Sequence, residues 1–327
     1  MKTFSLLATA FVSVLGLAAL LPDVLAAPVP LSVESKTKRT SDQNVSKLPA
    51  YEAVPCVHVE KTHILRVPVT VNGTVNTYFI LDTGAGVNLI SKELAEKLGA
   101  KKTGGYRGQR MSGQTIPIDM SRIDSLSFGG YTRKDLPMGL WNMKELFENE
   151  PAFANIEGIV SLNFFKDCAL TVDYQNNQAK VESSDSLAKL VSSGAVVPVK
   201  VSNKKKIDTS IMLRMQLPGD QNARCEVDTG SGSLILHTRY MKSLGIDPNS
   251  GSVKTNSGKD ETGHSYTRYF TKLNAKIHPV DAPTIVHTEP NVQFQKIIYD
   301  GLIGDEFLRN FTVTYDLPNS RMIFSKN

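Results

Sequence analysis

The chain has 327 residues, of which 41% are hydrophobic and 21% are charged, and 37 basic against 32 acidic residues give a net charge of +5. This ordinary globular composition excludes collagen-like and low-complexity chains, and the length fits either two domains of common size or one large β domain. The densest basic run, Lys204-Lys205-Lys206, has no interleaved aromatic residue. It is typical of a solvated turn rather than of a nucleic-acid-binding patch, so we expect no nucleic acid partner.

The first 26 residues predict a secretory signal peptide. Lys2 precedes an apolar run from Phe4 to Leu21, and small residues lie at the expected cleavage point before Ala27. An uncleaved anchor helix is the alternative because the run is long enough to cross a membrane, although the break at Pro22 favours cleavage. We therefore expect a secreted protein, periplasmic if the source is bacterial, without membrane contact after cleavage.

Residues 27–50 are rich in Pro, Ser and Lys and predict an unstructured lead-in or a short pro-segment. The pair Lys38-Arg39 within this stretch is either a processing site or two solvated charges. Three cysteines, Cys56, Cys168 and Cys225, are too few for a disulfide scaffold and permit at most one internal bridge, with no pair favoured. For Cys225 the pattern favours a buried free thiol.

From about Tyr51 onward the pattern predicts β-strands, beginning with two β-branched runs, 64–71 and 75–81, separated by an Asn-Gly hairpin signal. A helix is predicted over Ser91–Leu98 and a second over Thr238–Leu244, because each segment is followed at once by a glycine. A second series of strands is predicted through 207–236.

The sequence contains an internal repeat. A shift of 146 residues aligns 78–99 with 224–245, where six of 22 positions are identical, and a shift of 143 aligns a second block, 157–165, with 300–308. Two blocks in the same order at nearly the same offset predict a duplicated β lobe. The polar stretch 182–194 marks the boundary, which gives lobes over 51–185 and 195–327.

Asp82-Thr83-Gly84 and Asp228-Thr229-Gly230 lie at equivalent points of this repeat, each after an apolar strand. One such motif is weak evidence, because Asp and Gly are common turn residues. Two copies in a duplicated lobe are stronger evidence, because pseudo-twofold packing would bring the two loops face to face. Two carboxylates at that separation cannot both ionise cheaply, so they are expected to share a proton.

Together with the block Leu302-Ile303-Gly304, the two motifs resemble those of the aspartic proteases, and in particular of the retropepsin-like branch with two lobes fused in one chain. The resemblance covers about residues 55–327. It implies an all-β fold of two pseudo-symmetric, closed-barrel-like lobes with short helices and an active site at the lobe interface. Because both aspartates belong to one chain, we expect a monomer.

The resemblance also implies a mechanism in which Asp82 and Asp228 hold one water between them. The ionised aspartate acts as a general base on this water, and the protonated one donates to the carbonyl oxygen of a peptide or protein substrate. No metal or organic cofactor is needed, and the six histidines show no metal-ligand spacing.

The residues around the two aspartates have supporting roles in such a site. The hydroxyls of Thr83 and Thr229 would bond across to the opposite loop, and Gly84 and Gly230 would permit a tight backbone and close approach of the water.

Two positions differ between the lobes. Ser231 has a hydroxyl where the first lobe has Ala85, and in the family such a hydroxyl can hydrogen-bond the carboxylate, so we expect Asp228 to be the more readily ionised aspartate. Ser161 stands where the second lobe has Gly304, so the support behind the first catalytic loop is expected to be reshaped.

A glycine-bearing β-hairpin flap should cover the substrate in this family. Two segments qualify by position, 108–114 and 257–264, although solvent-exposed loops would have the same composition. An extended cleft would bind the peptide as an added strand. The candidate flap residues are Met111, Ser112, Gly113, Gly263 and His264.

The sequence therefore predicts a secreted aspartic endopeptidase. One alternative is a non-catalytic peptide-binding or inhibitory protein that keeps the fold, which the presence of both aspartates disfavours. A structural β protein is a second alternative, but it gives no reason for the matched motifs.

Overall fold

The computed structural model describes residues 48–147, 150–204, 206–259 and 263–326. The predicted signal peptide and the lead-in up to residue 47 lie outside the described residues. At the end of the lead-in, Leu48 exchanges hydrogen bonds with Ser184 and packs against the core. No helix among the described residues has both the length and the apolar character to cross a membrane.

The described first half of the chain forms short strands with alternating buried and exposed side chains, as a half-buried sheet requires. In β3, for example, every second residue from Leu65 to Val71 is buried. These strands are β1 (Val54–Pro55), β2 (Val57–His58), β3 (Leu65–Val71), β4 (Val75–Leu81), β5 (Leu89–Ser91), β6 (Lys101–Gln109), β7 (Thr115–Phe128), β8 (Tyr131–Trp141), β9 (Ile156–Val160), β10 (Ala169–Asp173) and β11 (Gln178–Val181).

The described second half continues with strands β12 (Ala195–Pro198), β13 (Lys200–Lys204), β14 (Asp208–Leu217), β15 (Gln221–Val227), β16 (Leu234–His237), β17 (Lys254–Lys259), β18 (Ser265–Lys272), β19 (Lys276–Pro279), β20 (His287–Thr288), β21 (Asn291–Gln295), β22 (Gly301–Ile303), β23 (Phe311–Asp316) and β24 (Arg321–Lys326). The helices are α1 (Lys92–Lys97), α2 (Met143–Leu146), α3 (Ser184–Ser193) and α4 (Asp305–Leu308), with 3₁₀ turns at Pro151–Phe153 and Thr238–Tyr240.

The first lobe is an eight-stranded sheet in the order β2-β3-β4-β9-β5-β8-β7-β6. Strand β3 also pairs with β7, where Thr70 lies opposite Ser127, so six of the strands close into a ring. The expected closed-barrel character is therefore present in this lobe. A closed ring leaves few unpaired edge groups and encloses a packed apolar interior.

The second lobe repeats this order, with β14, β15, β22, β16, β21 and β18 in the places of β3, β4, β9, β5, β8 and β7. Each lobe contains the same parallel pair, β4 with β9 and β15 with β22. The second lobe differs because β14 pairs with β19 rather than with β18, so its ring is open over the residues described. The two-lobed, mostly β fold is confirmed.

A third sheet joins the lobes. Its six strands follow the order β1-β11-β10-β23-β24-β12, so each half of the chain supplies three of them. At its centre β10 pairs with β23, and the hydroxyls of Thr171 and Thr314 lie 2.8 Å apart across that pairing. Backbone hydrogen bonds between β10 and β23 therefore join the two lobes.

The helices agree with the sequence in part. Helix α1 begins where predicted, because the Ser91 hydroxyl accepts the Leu94 N–H as an N-cap. The prediction of a second helix over Thr238–Leu244 is wrong, because only Thr238–Tyr240 is helical and it forms a single 3₁₀ turn. Helix α3 lies in the stretch predicted as a polar lobe boundary, where no helix was predicted. Its apolar residues Leu187, Leu190 and Val191 recur at helical spacing and are half-buried.

All three cysteines are buried free thiols, so the chain has no internal disulfide. Burial raises the pKa of each thiol, Cys56, Cys168 and Cys225, to about 12. These cysteines therefore pack as small apolar residues and are not reactive nucleophiles.

Candidate active site

The two aspartates occupy the same position in their lobes, one residue after the end of an inner strand. The Asp82 N–H donates to the Val160 carbonyl at 3.1 Å, and the Asp228 N–H donates to the Ile303 carbonyl at 2.9 Å. Each bond extends the parallel pairing of the lobe by one residue, so the rigid sheet sets the backbone position of both carboxyl groups. Both side chains are buried, Asp82 at 8% exposure and Asp228 at 0%.

The threonines that follow the aspartates bond across the lobe interface. The Thr83 hydroxyl donates to the Val227 carbonyl at 2.8 Å and accepts the Thr229 N–H at 3.0 Å. The Thr229 hydroxyl donates to the Leu81 carbonyl at 2.7 Å and accepts the Thr83 N–H at 3.0 Å. The expected cross-loop bonds are thus present in both directions, and four hydrogen bonds tie the loops into one unit.

The glycines of the two loops allow the carboxyl groups to meet. A Cβ at Gly84 would lie 2.4 Å from Cγ of Asp228, which is closer than any real contact. A Cβ at Gly230 would lie 2.9 Å from Oδ2 of Asp82 and 3.0 Å from Oδ1 of Asp228. Both carboxyl groups therefore surround one point between the loops, as the sequence predicted.

The two carboxyl groups are electrostatically inequivalent. Oδ1 of Asp82 accepts the N–H groups of Gly84 and Ala85, both at 2.9 Å, whereas Oδ1 of Asp228 accepts the Gly230 N–H at 2.8 Å. Burial raises the pKa of Asp82, and the two amides partly offset the rise. Burial, and then the charges of Asp82 and Glu226, raise the pKa of Asp228 well above its ordinary value. These surroundings favour the shared proton on Asp228 and the negative charge on Asp82.

This assignment corrects the hypothesis that Ser231 makes Asp228 the more readily ionised aspartate. The Ser231 hydroxyl donates its hydrogen bond to the Ser233 carbonyl at 3.2 Å rather than to the Asp228 carboxylate. At the equivalent place in the first lobe the backbone N–H of Ala85 stabilises the anion, and a backbone donor needs no side-chain hydroxyl.

Ser161 and Gly304 support their loops by different means. At Gly304 a Cβ would lie 2.2 Å from the Ser231 carbonyl oxygen, so only glycine allows this backbone approach. In the first lobe Oδ1 of Asn88 accepts both the Ser161 N–H at 2.9 Å and the Ser161 hydroxyl at 3.2 Å. A buried polar pair therefore supports the first loop, whereas close backbone contact at a glycine supports the second.

The first candidate flap is the β6–β7 hairpin, and its tip reaches the second lobe. The Arg110 N–H donates to the Gln114 carbonyl, and Gly113 has a φ of +87°, which closes the turn. Met111 is buried, and its carbonyl accepts the Ile298 N–H at 2.9 Å. The hairpin therefore lies closed across the interface.

The second candidate flap, the β17–β18 hairpin, has residues 260–262 outside the described part of the chain. Gly263 has a φ of +82°, and His264 is exposed. Ser112 of the first hairpin and His264 of the second line the same cavity of about 520 Å³. The two hairpins thus border one cavity at the side of the interface.

The sequence analysis missed two further groups near the dyad. Glu226, which lies two residues before Asp228, is completely buried. Asp208 is also buried, and its carboxylate accepts a hydrogen bond from the Tyr106 hydroxyl. The signal for Glu226 was present, since it interrupts an apolar strand where the repeat has Ile80.

The first lobe also contacts the second catalytic loop through His63, whose Nε2 lies 3.0 Å from the Gly230 carbonyl oxygen. Nearby, His58 pairs with the buried Asp305 at 2.8 Å. Across the described residues, no group of three or more His, Cys, Asp or Glu side chains is arranged to hold a metal ion.

Comparisons with known proteins show what the chain is similar to. A family model described as aspartyl protease matches residues 67–164, which include Asp82. No curated protein matches the sequence significantly. Among solved structures, the chain is similar to basic 7S globulin from soybean, with 9% identity, a TM-score of 0.50, and coverage of 85% of this chain and 97% of that one.

The chain is also similar to conglutin gamma, a basic 7S globulin from lupine seeds, with 9% identity, a TM-score of 0.50, and coverage of 86% and 96%. Likeness at this identity shows the fold alone, and both names are those of globulins. The family match and the fold together confirm that the chain resembles the aspartyl proteases.

Proposed function

We propose that this protein is a secreted aspartic endopeptidase that hydrolyses peptide bonds with the dyad Asp82–Asp228. The observation that carries the proposal is the pair of buried, inequivalent carboxyl groups around one point between the lobes. Burying two carboxyl groups side by side costs free energy, and a purely structural protein gains nothing from it. General acid–base chemistry on a water needs one ionised and one protonated group at such a point.

In the proposed reaction the Asp82 carboxylate removes a proton from the water as its oxygen attacks the peptide carbonyl carbon. Asp228 donates its proton to the carbonyl oxygen, which gives a neutral tetrahedral intermediate with two hydroxyl groups. The C–N bond then breaks: Asp82 returns its proton to the leaving nitrogen, and one hydroxyl proton passes back to Asp228. The dyad ends in its starting state, and water has been added across the bond.

The two hairpins supply the remaining parts of such a site. The closed β6–β7 hairpin would lift to admit a peptide and close over it, which excludes water from the dyad. Both aspartates come from one chain, so the proposed enzyme acts as a monomer.

The test is hydrolysis of a quenched peptide library between pH 3 and 7 by the mature chain. Asp82→Asn and Asp228→Asn should each lower kcat/KM by at least about 1000-fold, because each removes one half of the acid–base pair. Asp220→Asn is the matched control, since Asp220 lies in an exposed turn with a φ of +57° that Asn tolerates, and it should leave the rate unchanged. Inhibition by pepstatin would add support.

A folded protein from which residues 27–39 have been removed and which cleaves no peptide at any pH would refute the proposal. Measured peptide binding in that case would establish the non-catalytic peptide-binding alternative. N-terminal sequencing of the protein from the culture medium tests secretion, with Ala27 expected after signal cleavage and Thr40 after processing at Lys38-Arg39.

A further inference from the structure

The turn between β2 and β3 belongs to the first lobe but reaches the catalytic loop of the second lobe, which begins at Asp228. Within the first lobe, Val59 and Ile64 of this turn are buried in an apolar cluster. Ala85 of the first catalytic loop belongs to the same cluster. Apolar packing therefore anchors the turn beside the first catalytic loop.

Hydrogen bonds within the turn fix its shape. The Val59 N–H donates to the Ile64 carbonyl at 2.8 Å, and the Thr62 N–H donates to the Val59 carbonyl at 2.9 Å. The Thr62 hydroxyl donates to the Val59 carbonyl at 2.8 Å and accepts the Ile64 N–H at 3.1 Å. Because His63 lies between Thr62 and Ile64, its backbone position is set by these bonds.

The side chain of His63 bonds to the second catalytic loop. Its Nε2 lies 3.0 Å from the Gly230 carbonyl oxygen. A carbonyl oxygen can only accept, so Nε2 carries a hydrogen and donates it. The imidazole ring also packs against the loop backbone, since a Cβ at Gly232 would lie 2.9 Å from Nδ1 and 3.1 Å from Cγ of His63. A glycine at position 232 therefore allows the ring to approach the loop.

Gly230 links His63 to the dyad. The Gly230 N–H donates to Oδ1 of Asp228 at 2.8 Å, and the Gly230 carbonyl accepts from His63. Glycine has more backbone freedom than any other residue, so its orientation depends on the groups that bind it. The first lobe thus fixes, through His63, the residue whose N–H binds the carboxyl group of Asp228.

A second histidine of the same segment supports the same loop from the other side of Ser231. The Ser231 carbonyl accepts the Asp305 N–H at 2.8 Å, and the Asp305 carboxylate pairs with Nε2 of His58 at 2.8 Å. His58 therefore acts on the loop through helix α4, whereas His63 bonds to the loop directly.

The internal repeat shows that each catalytic loop is held from the opposite lobe, but by a different group. The shift of 146 residues also holds for the pairing of the first strands of the lobes, Arg66 with Ile80 and Met212 with Glu226. The equivalent of His63 is then Thr209, whose N–H donates to the Gly86 carbonyl at 2.9 Å. A backbone N–H is present at every residue type except proline, so only the hold on the second loop depends on a particular side chain.

We propose that His63 is a positioning residue for the dyad, because its Nε2–H holds the Gly230 carbonyl and thereby keeps the Asp228 carboxyl group in place to donate its proton. The inference rests on the proposed function. Proton transfer requires the two heavy atoms to lie within hydrogen-bond reach, and a small displacement of one of them slows the reaction strongly. Loss of the His63 bond should therefore slow the chemical step more than it weakens peptide binding.

The test compares His63→Gln with His63→Met in hydrolysis of a quenched peptide. The two side chains have nearly the same length, but only the Gln amide can donate to the Gly230 carbonyl. His63→Met should lower kcat at least about tenfold and change KM less than about threefold, whereas His63→Gln should keep kcat within about threefold of the wild type. His278→Met is the matched control and should leave both constants unchanged, because His278 also contacts a backbone carbonyl but lies on β19.

Hydrogen exchange, measured by mass spectrometry, tests the hold on the loop without reference to activity. Exchange over residues 228–236 should increase in His63→Met and remain at the wild-type level in His63→Gln. Thermal unfolding establishes that each variant is folded at the assay temperature, and His63→Ala replaces His63→Met if the latter does not fold.

Equal kcat values for His63→Met and His63→Gln, whether high or low, would overturn this inference and leave the proposed function intact, since the hydrogen-bond donor would then not matter. A larger effect of His63→Met on KM than on kcat would also overturn it, because the side chain would then serve peptide binding. A wild-type protein that cleaves no peptide refutes the proposed function and this inference with it.

Discussion

At the scale of single residues, two aspartates in equivalent positions differ because their immediate surroundings differ. Asp82 receives two backbone N–H groups, whereas Asp228 receives one and lies beside Glu226. Each added donor favours the anion, and each nearby negative charge favours the protonated form. The direction of proton sharing therefore follows from the loop backbone and from one residue of the preceding strand.

The raised pKa of Asp228 predicts a pH-dependent stability. A carboxyl whose pKa is higher in the folded state than in the unfolded state binds its proton more tightly when the protein is folded. Its contribution to the free energy of unfolding is therefore complete below about pH 4, the ordinary pKa of Asp, and is lost as the pH rises. Asn cannot ionise. Asp228→Asn should therefore raise the free energy of unfolding at pH 7, by about 1.4 kcal/mol for each unit of the pKa difference, and should have little effect at pH 3.

Urea unfolding at pH 3, 5 and 7 measures this difference, with Asp220→Asn as the control that should follow the wild type at every pH. An equal effect of Asp228→Asn on the free energy of unfolding at all three pH values would show that ionisation of the Asp228 carboxyl does not cause the pH dependence.

The close approach at Gly84 predicts a steric effect on activity. A methyl group there would lie 2.4 Å from Cγ of Asp228, so Gly84→Ala should push the carboxyl groups apart and lower kcat/KM by about 100-fold or more. Gly251→Ala is the matched control, because a Cβ at Gly251 would meet nothing within 4 Å. Peptide hydrolysis measures both, and equal activity of the two variants would contradict the geometry.

At the scale of elements, the β6–β7 hairpin of the first lobe reaches the second lobe. Its tip contacts the second lobe through a backbone hydrogen bond from Ile298 to Met111 and through the packing of the Met111 side chain. If the hairpin is a lid, as proposed, this contact must break for a peptide to enter.

Truncation of this contact should loosen the hairpin. Met111→Ala should increase hydrogen exchange over residues 101–128, measured by mass spectrometry, and lower kcat/KM by about tenfold, because the closed hairpin is less populated. Met111→Leu keeps the apolar volume and should behave like the wild type. Unchanged exchange in Met111→Ala would show that the side chain does not hold the hairpin.

At the scale of the whole molecule, the lobes form one structure rather than two joined domains. The six-stranded sheet takes strands from both halves, and His58 of the first half pairs with Asp305 of the second. Strand β10 of the first lobe has β23 of the second as a neighbour, so either lobe alone would expose an unpaired strand edge.

This connectivity predicts that the lobes do not fold separately. Residues 51–185 expressed alone should be insoluble or unfolded by circular dichroism, whereas the mature chain should give a single calorimetric transition whose van't Hoff enthalpy equals the measured enthalpy. Coexpression with residues 195–327 should restore soluble protein. Two separate transitions in the mature chain would show instead that the lobes unfold independently.

The repeat, the two Asp-Thr-Gly loops, the first helix and the two-lobed fold could be predicted from the sequence, because these features depend on local pattern and on the comparison of the chain with itself. The two hairpins were also placed by position, since their glycines and turn residues carry a local signal.

The packing of the lobes was needed to show which aspartate's surroundings favour the proton, how the sheet joins the lobes and where Glu226 lies. The Ser231 hydroxyl donates to the Ser233 carbonyl, whereas the backbone N–H of Ala85 donates to the Asp82 carboxylate. Because every residue except proline has a backbone donor, the residue type does not reveal which N–H groups reach a carboxylate. Electrostatic balance depends on distance and burial in three dimensions, which residue spacing does not contain. For that reason the sequence located the site, and the packing of the lobes determined its electrostatics.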